Sequence, residues 1–168
     1  LLVQTPTGAG TINLLVNEVE VEMGSTVYFN VSDERRLQVQ PIEGAARIRS
    51  DGQQQTAVAG TRIEVQLDED SNAMGVPSEP ESYMGDGNVE FLPIETLERE
   101  IIIEDGLTDE EFELFLEYEE VFDNINVEDI DDVFDYIYDS ELDDEDLDLL
   151  NYLINELNYT EFDDELEL

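Results

Sequence analysis

LQVQPIEGAARIRSDGQQQTAVAGTRIEVQL, from Leu37 to Leu67, decides the fold. Leu37, Val39 and Pro41 alternate with Gln38 and Gln40, and Ala46 and Ile48 with Arg47 and Arg49. Thr61, Ile63, Val65 and Leu67 alternate with Arg62, Glu64 and Gln66. Successive side chains of a strand point to opposite faces, so each run has a buried side and a solvated side. Ser50-Asp51-Gly52 and Ala59-Gly60 supply the turns. The stretch reads as three short strands of an antiparallel structure with one wet face. Gln53-Gln54-Gln55 reads as an uncharged polar ridge, an exposed strand face.

The same rhythm extends upstream. Ile12, Leu14 and Val16 alternate with polar residues. Val19, Val21 and Met23 alternate with Glu18, Glu20 and Glu22, and Val27, Phe29 and Val31 oppose Thr26, Tyr28 and Asn30. Gly24-Ser25 and Ser32 to Arg35 turn the chain between them. Six or seven strands at this spacing predict an antiparallel β roll or sandwich over residues 1–67.

The turn residues carry a family resemblance. Thr5-Pro6-Thr7-Gly8 with Gly10-Thr11, Ile42-Glu43-Gly44 closing LQVQPIEG, and Ala59-Gly60-Thr61 entering the last strand stand where similar turns stand in the FecR-like domain. Residues 5–67 therefore resemble that domain. The arginine usual before Gly-Thr and the aromatic after it are absent. The resemblance implies an extracytoplasmic setting and a role in signal relay through protein–protein contact. It implies no catalytic residue.

Downstream the rhythm changes. Residues 68–107 hold Asp68-Glu69-Asp70-Ser71-Asn72, Pro77, Pro80, Gly85-Asp86-Gly87-Asn88 and Pro93, and read as an extended arm or linker. Tyr83, Phe91, Leu92, Ile94 and Leu97 are its points for docking on the β domain. From Thr108 the apolar period becomes helical. Thr108 with Glu111 forms a capping box. The first helix carries Phe112, Phe115, Leu116, Tyr118, Val121 and Phe122. Asn126 is placed to cap a second, with Ile130, Val133, Phe134 and Ile137 on one face. A third spans about residues 144–157, with Leu147, Leu150, Leu153, Ile154 and Leu157. Residues 108–168 are thus read as a small acidic helical segment.

Charge bounds the function. The chain has 168 residues, 46 of them acidic, six arginines and a formal charge of −40. Of the acids, 18 fall in residues 1–100 and 28 in residues 101–168, and every arginine lies in the first part. Direct contact with nucleic-acid phosphate or an anionic membrane needs a basic face, which this composition denies. A protein partner with a basic patch fits the charge. With neither histidine nor cysteine, histidine triads, histidine–zinc sites and thiolate chemistry are excluded. Calcium ligation needs six to eight oxygens on a turning loop. Asp68 to Asp70, Asp86 to Asn88 and Asp139 to Asp148 offer carboxylates without that pattern, so weak divalent binding is the most they predict. No carboxylate pair stands out among so many, and a non-catalytic protein without cofactor is expected. No membrane span is visible in the sequence. A chain opening mid-strand at Leu1-Leu2-Val3 reads as a processed or trimmed piece.

The function expected is a binding or regulatory module with the acidic tail as docking element. The stripe Phe112, Phe115, Tyr118, Phe122, Ile130, Phe134, Ile137, Leu150 and Ile154 is the candidate partner face. At such spacing a stripe serves as core more often than as a docking face. Arg35, Arg36, Arg47, Arg49 and Arg62 are candidates to pair with the tail, within one chain or between copies. The alternatives are a structural subunit of an extracellular assembly, joined by strand or tail exchange, and an acidic regulator filling a basic site of a partner protein.

Overall fold

The computed structural model describes residues 1–6, 9–24, 26–83, 97 and 106–140. Among the described residues, nine strands form two antiparallel layers. They are β1 (Leu2–Gln4), β2 (Ile12–Val16), β3 (Val19–Met23), β4 (Thr26–Val31), β5 (Arg36–Glu43), β6 (Ala45–Ser50), β7 (Gln53–Val58), β8 (Thr61–Gln66) and β9 (Glu81–Ser82). One sheet has the order β1-β4-β5-β8-β9 and the other β2-β3-β6-β7.

Two hairpins set the four-stranded sheet. Asn17 and Glu18 join β2 to β3 with φ of 52° and 66°, and Asp51 and Gly52 join β6 to β7 with φ of 49° and 75°. Both central residues at positive φ give a turn whose twist matches the strands. The registers follow: Val16 opposite Val19, and Ser50 opposite Gln53. Val19, Val21, Met23, Ala46, Ile48 and Ala57 then face Val27, Phe29, Leu37, Val39, Ile63 and Val65 across the sandwich, all buried. Each large apolar side chain so buried contributes about 1.5–3 kcal/mol. Pro41 cannot donate to a ladder and sits next to the register shift between Thr26 and Val27, where a bulge accommodates it.

Several expectations change. The stretch from Leu37 to Leu67 holds four strands, because Gln53–Val58 is a full edge strand. Gln55 shares the inward face of Ala57 opposite Ile48, so the polar run hides the alternation that marks the other strands. The expected single wet face is also modified: each sheet has part of its outer face covered. On the five-stranded sheet, Ile42 and Tyr83 bury together, with Leu2, Tyr28 and Leu97 against them. Helices cover the other sheet.

The covering of the first sheet begins with residues 68–83, part of the stretch read from the sequence as an extended arm or linker. Asp68 accepts hydrogen bonds from the backbone N–H groups of Asp70 and Asn72 and folds residues 68–72 into a compact turn. The chain then returns along β8, with Met74 N–H donating to Gln66 O, Ser78 N–H to Glu64 O, and β9 pairing with Thr61 and Arg62. Tyr83 docks as expected: its hydroxyl accepts from Gly60 N–H at 2.9 Å and donates to Pro41 O at 3.2 Å. Phe91, Leu92 and Ile94 lie outside the described residues.

Helices follow at α1 (Asp109–Glu117), α2 (Glu119–Phe122), a 3-10 turn (Val127–Asp129) and α3 (Ile130–Ser140). The Thr108–Glu111 capping box forms in both directions. Asn126 is positioned at the N-cap of the 3-10 turn, but its side chain makes no capping bond there, contrary to expectation. The third helix expected over residues 144–157 falls outside the described residues.

Candidate functional site

The apolar stripes of α1 to α3 converge into one cluster on the outer face of the four-stranded sheet. Phe115, Tyr118, Val121, Phe122, Ile130 and Ile137 are buried there together with Ala45 of β6 and Val58 of β7. Phe115 stacks on Phe122 at 5.5 Å, and Phe134 meets both rings edge-on at 6.1 and 6.0 Å. Phe112 is half-buried at the rim, 6.4 Å from Phe115. So seven residues of the expected partner face, Phe112, Phe115, Tyr118, Phe122, Ile130, Phe134 and Ile137, are packed within this chain. Leu150 and Ile154 lie outside the described residues. Leu116, on the same helix, is 42% exposed.

A buried arginine fastens this unit. Arg47 points out of β6, away from the sandwich core, and its side chain is 8% exposed. Its guanidinium donates to Phe122 O at 2.9 Å and Ile125 O at 2.7 Å. Phe122 ends α2, so a fixed cation meets the carbonyl groups that a helix leaves without partners. Glu22 of β3 balances the charge, with an oxygen 3.4 Å from the guanidinium. Asp123, the next residue, accepts from Thr56 Oγ1 at 3.1 Å and Gln54 Nε2 at 3.2 Å on β7. At the other end, a Cβ on Gly24 would stand 3.1 Å from the Cα of Glu128, so the absence of a side chain lets the 3-10 turn lie against the β3–β4 corner.

The expectation that arginines bind the tail through its carboxylates is therefore corrected for Arg47: it binds backbone carbonyls. Arg35 pairs with Glu69, Arg36 with Glu34 and Glu64, and Arg62 with Glu81, all on the sandwich or the segment that returns along it. Arg49 donates to Gln54 at 2.7 Å. Sequence singled out Arg47 only as one of five. Its distinguishing signal was an arginine next to Ala45 on the outward face of a central strand, where a small apolar neighbour marks a covered surface. Asp123 and Gly24 carried no such signal.

What the docked unit presents to solvent is acidic. Asp109, Glu110, Glu113, Glu117, Asp123, Glu128, Asp129, Asp132 and Asp135 are exposed, and residues 100–168 contain no basic residue. Glu119 is pushed above the usual carboxylate range, first by burial and then by Asp123 and Glu79. An open depression of about 390 Å3 lies between the two hairpin tips, lined by Glu18, Glu20, Arg49 and Asp51 among others. Among the described residues no group of three or more acidic side chains is arranged to hold a metal ion, and no helix is long and apolar enough to cross a membrane. The Asp68 turn, a sequence candidate for cations, directs its carboxylate at its own backbone, and the Asn72 N–H foremost holds that carboxyl below the usual range.

The fold is thus an antiparallel β sandwich with a helical cover on one sheet. No known family, curated protein or solved structure matches the chain.

Proposed function

We propose that the chain is a non-catalytic binding module, FecR-like in its β domain and extracytoplasmic in setting, that relays signals by holding a basic protein partner on its helical cover. The observation that carries this reading is the combination of a fixed seat and a one-signed surface. Arg47 and Asp123 set α1 to α3 on a rigid sheet. The solvent side of the same helices then shows carboxylates with no interspersed cation. A one-signed surface on a rigid support steers a partner of opposite charge and orients it on arrival. Support for the FecR-like part is at the level of turns: Gly10, Gly44 and Gly60, on which the resemblance rests, have φ of 60°, 68° and 89°.

The test uses a small basic protein as probe and reads its binding by calorimetry at low and moderate salt. Neutralising Glu110, Glu113 and Glu117 to glutamine is compared with neutralising Glu34, Glu69 and Asp70 on the sandwich's loops. The helix variant is expected to bind about tenfold more weakly and the loop variant nearly as wild type, with salt weakening both. Equal losses from the two variants would mean that net charge alone acts, and the helical face would lose its role.

A further inference from the structure

The sandwich leaves the β2 edge unprotected in a way its charge makes conspicuous. β2 is the outermost strand of the four-stranded sheet. The type I′ turn at Asn17-Glu18 fixes which of its backbone groups are used. The pair closing a two-residue loop exchanges hydrogen bonds, and such pairs alternate along an antiparallel ladder. Val16, Leu14 and Ile12 therefore bond to β3, and Asn13 and Leu15 turn their N–H and C=O groups outward. Among the described residues, nothing pairs with those groups.

Sheet edges in monomers are commonly blunted by charge, proline or a bulge. Ile12-Asn13-Leu14-Leu15-Val16 has none of these, in a chain of charge −40. Leu15 is 70% exposed on the outer face. Ile12, Leu14 and Val16 face the core yet remain only half-buried, because among the described residues no strand lies beyond them.

We propose that β2 pairs antiparallel with β2 of a second copy about a two-fold axis at Leu14. The register is self-complementary. With Leu14 opposite Leu14 of the second copy, Ile12 meets its Val16, and Val16 its Ile12, all on the core face. Asn13 meets Leu15 of the second copy and exchanges both of its outward backbone hydrogen bonds with it. Moving the centre to Asn13 or Leu15 leaves an end of the strand unpaired. The neutral strand offers no charge that would select a basic peptide over this match. The contact is isologous, consumes the edge that makes it, and yields one eight-stranded sheet. It uses none of the helical carboxylates and so stands apart from the binding role proposed above.

The two copies repel each other over their whole surfaces, which gives the pairing a diagnostic salt response. Raising salt from about 0.1 to about 1 M shortens the screening length from about 10 to about 3 Å. Sedimentation equilibrium of the full chain is expected to show a monomer–dimer equilibrium that tightens at least about tenfold over that range. Two variants locate it. Asn13→Pro removes an N–H that β3 does not use and blocks the incoming strand. Leu15→Glu adds one charge per copy beside the axis at an already exposed position. Both are expected to be monomeric at high salt with circular dichroism spectra unchanged, and Leu15→Glu decides should Asn13→Pro fail to fold. A wild type that stays monomeric at high salt, a dimer that salt weakens, or a dimer that survives Leu15→Glu would each overturn the proposal.

Discussion

Arg47 makes the local physics of this molecule explicit. A guanidinium buried under a helix end costs desolvation, and Glu22 with two backbone carbonyls offsets that cost. Replacing it with methionine keeps the length of the stem and removes every donor. Phe122 O and Ile125 O would then be buried without partners, and Glu22 would face no charge. The expected loss is about 3 kcal/mol, with a melting point lower by about 6–12 °C. Arg47→Lys should recover only part of this, since an ammonium cannot reproduce the planar fork. Thermal melting of both variants checks the prediction, and an unchanged Arg47→Met would mean that the helices are held by their apolar contacts alone.

Elements differ in how openly the sequence announces them. β3 and β8 are the plainest, because Val19-Glu-Val-Glu-Met and Thr61-Arg-Ile-Glu-Val place apolar and polar side chains on opposite faces of strands that border the core. β7 is concealed by glutamine at both faces, and β9 by its length of two residues. The segment before β9 is held by backbone bonds to β8, and a backbone bond leaves no pattern in the side chains. Helix α1 was legible from its cap and its stripe together. The stripe itself says only that a surface is buried; what buries it is set by Ala45 and Val58, small and apolar on the far side of a sheet some 60 residues upstream in sequence. The cap invites a direct test. Thr108 accepts from Glu111 N–H, and the Glu111 carboxylate receives the Thr108 N–H at 2.7 Å. Thr108→Ala removes half of this exchange at a helix whose last turn holds no basic residue. It should cost about 1 kcal/mol and raise amide exchange first within Glu111 to Phe115, leaving β3 and β6 unaffected. Uniformly faster exchange through the sheet would show that helix and sandwich unfold as one.

At the scale of the whole molecule, 46 acids against six arginines set the conditions under which the fold is most stable. Neutral pH is not among the best of them. Glu119 has a folded value raised above 4.5 by burial, Asp123 and Glu79, so its ionisation opposes folding. Stability from this group therefore rises as pH falls through its folded value toward 4.5, where the unfolded chain takes up the same proton. Glu64 behaves in the opposite sense. Burial on its own raises it, but hydrogen bonds from Arg36 and Gln38 outweigh burial and hold it below 4.5. Its contribution is complete above 4.5 and disappears as pH falls through that lower folded value. The general repulsion among carboxylates also relaxes as they begin to protonate. These trends meet in a stability maximum close to the ordinary carboxylate value of 4.5. Melting points taken between about pH 3 and 8 should peak there, and about 1 M salt should lift the neutral end by several degrees by screening the same repulsion. Glu119→Gln should raise the melting point by about 1 °C at pH 7, a partly exposed group being well screened, and leave it unchanged near pH 4. A melting point highest at neutral pH and indifferent to salt would mean that the packing of Phe115, Phe122 and the sandwich core governs stability without interference from charge.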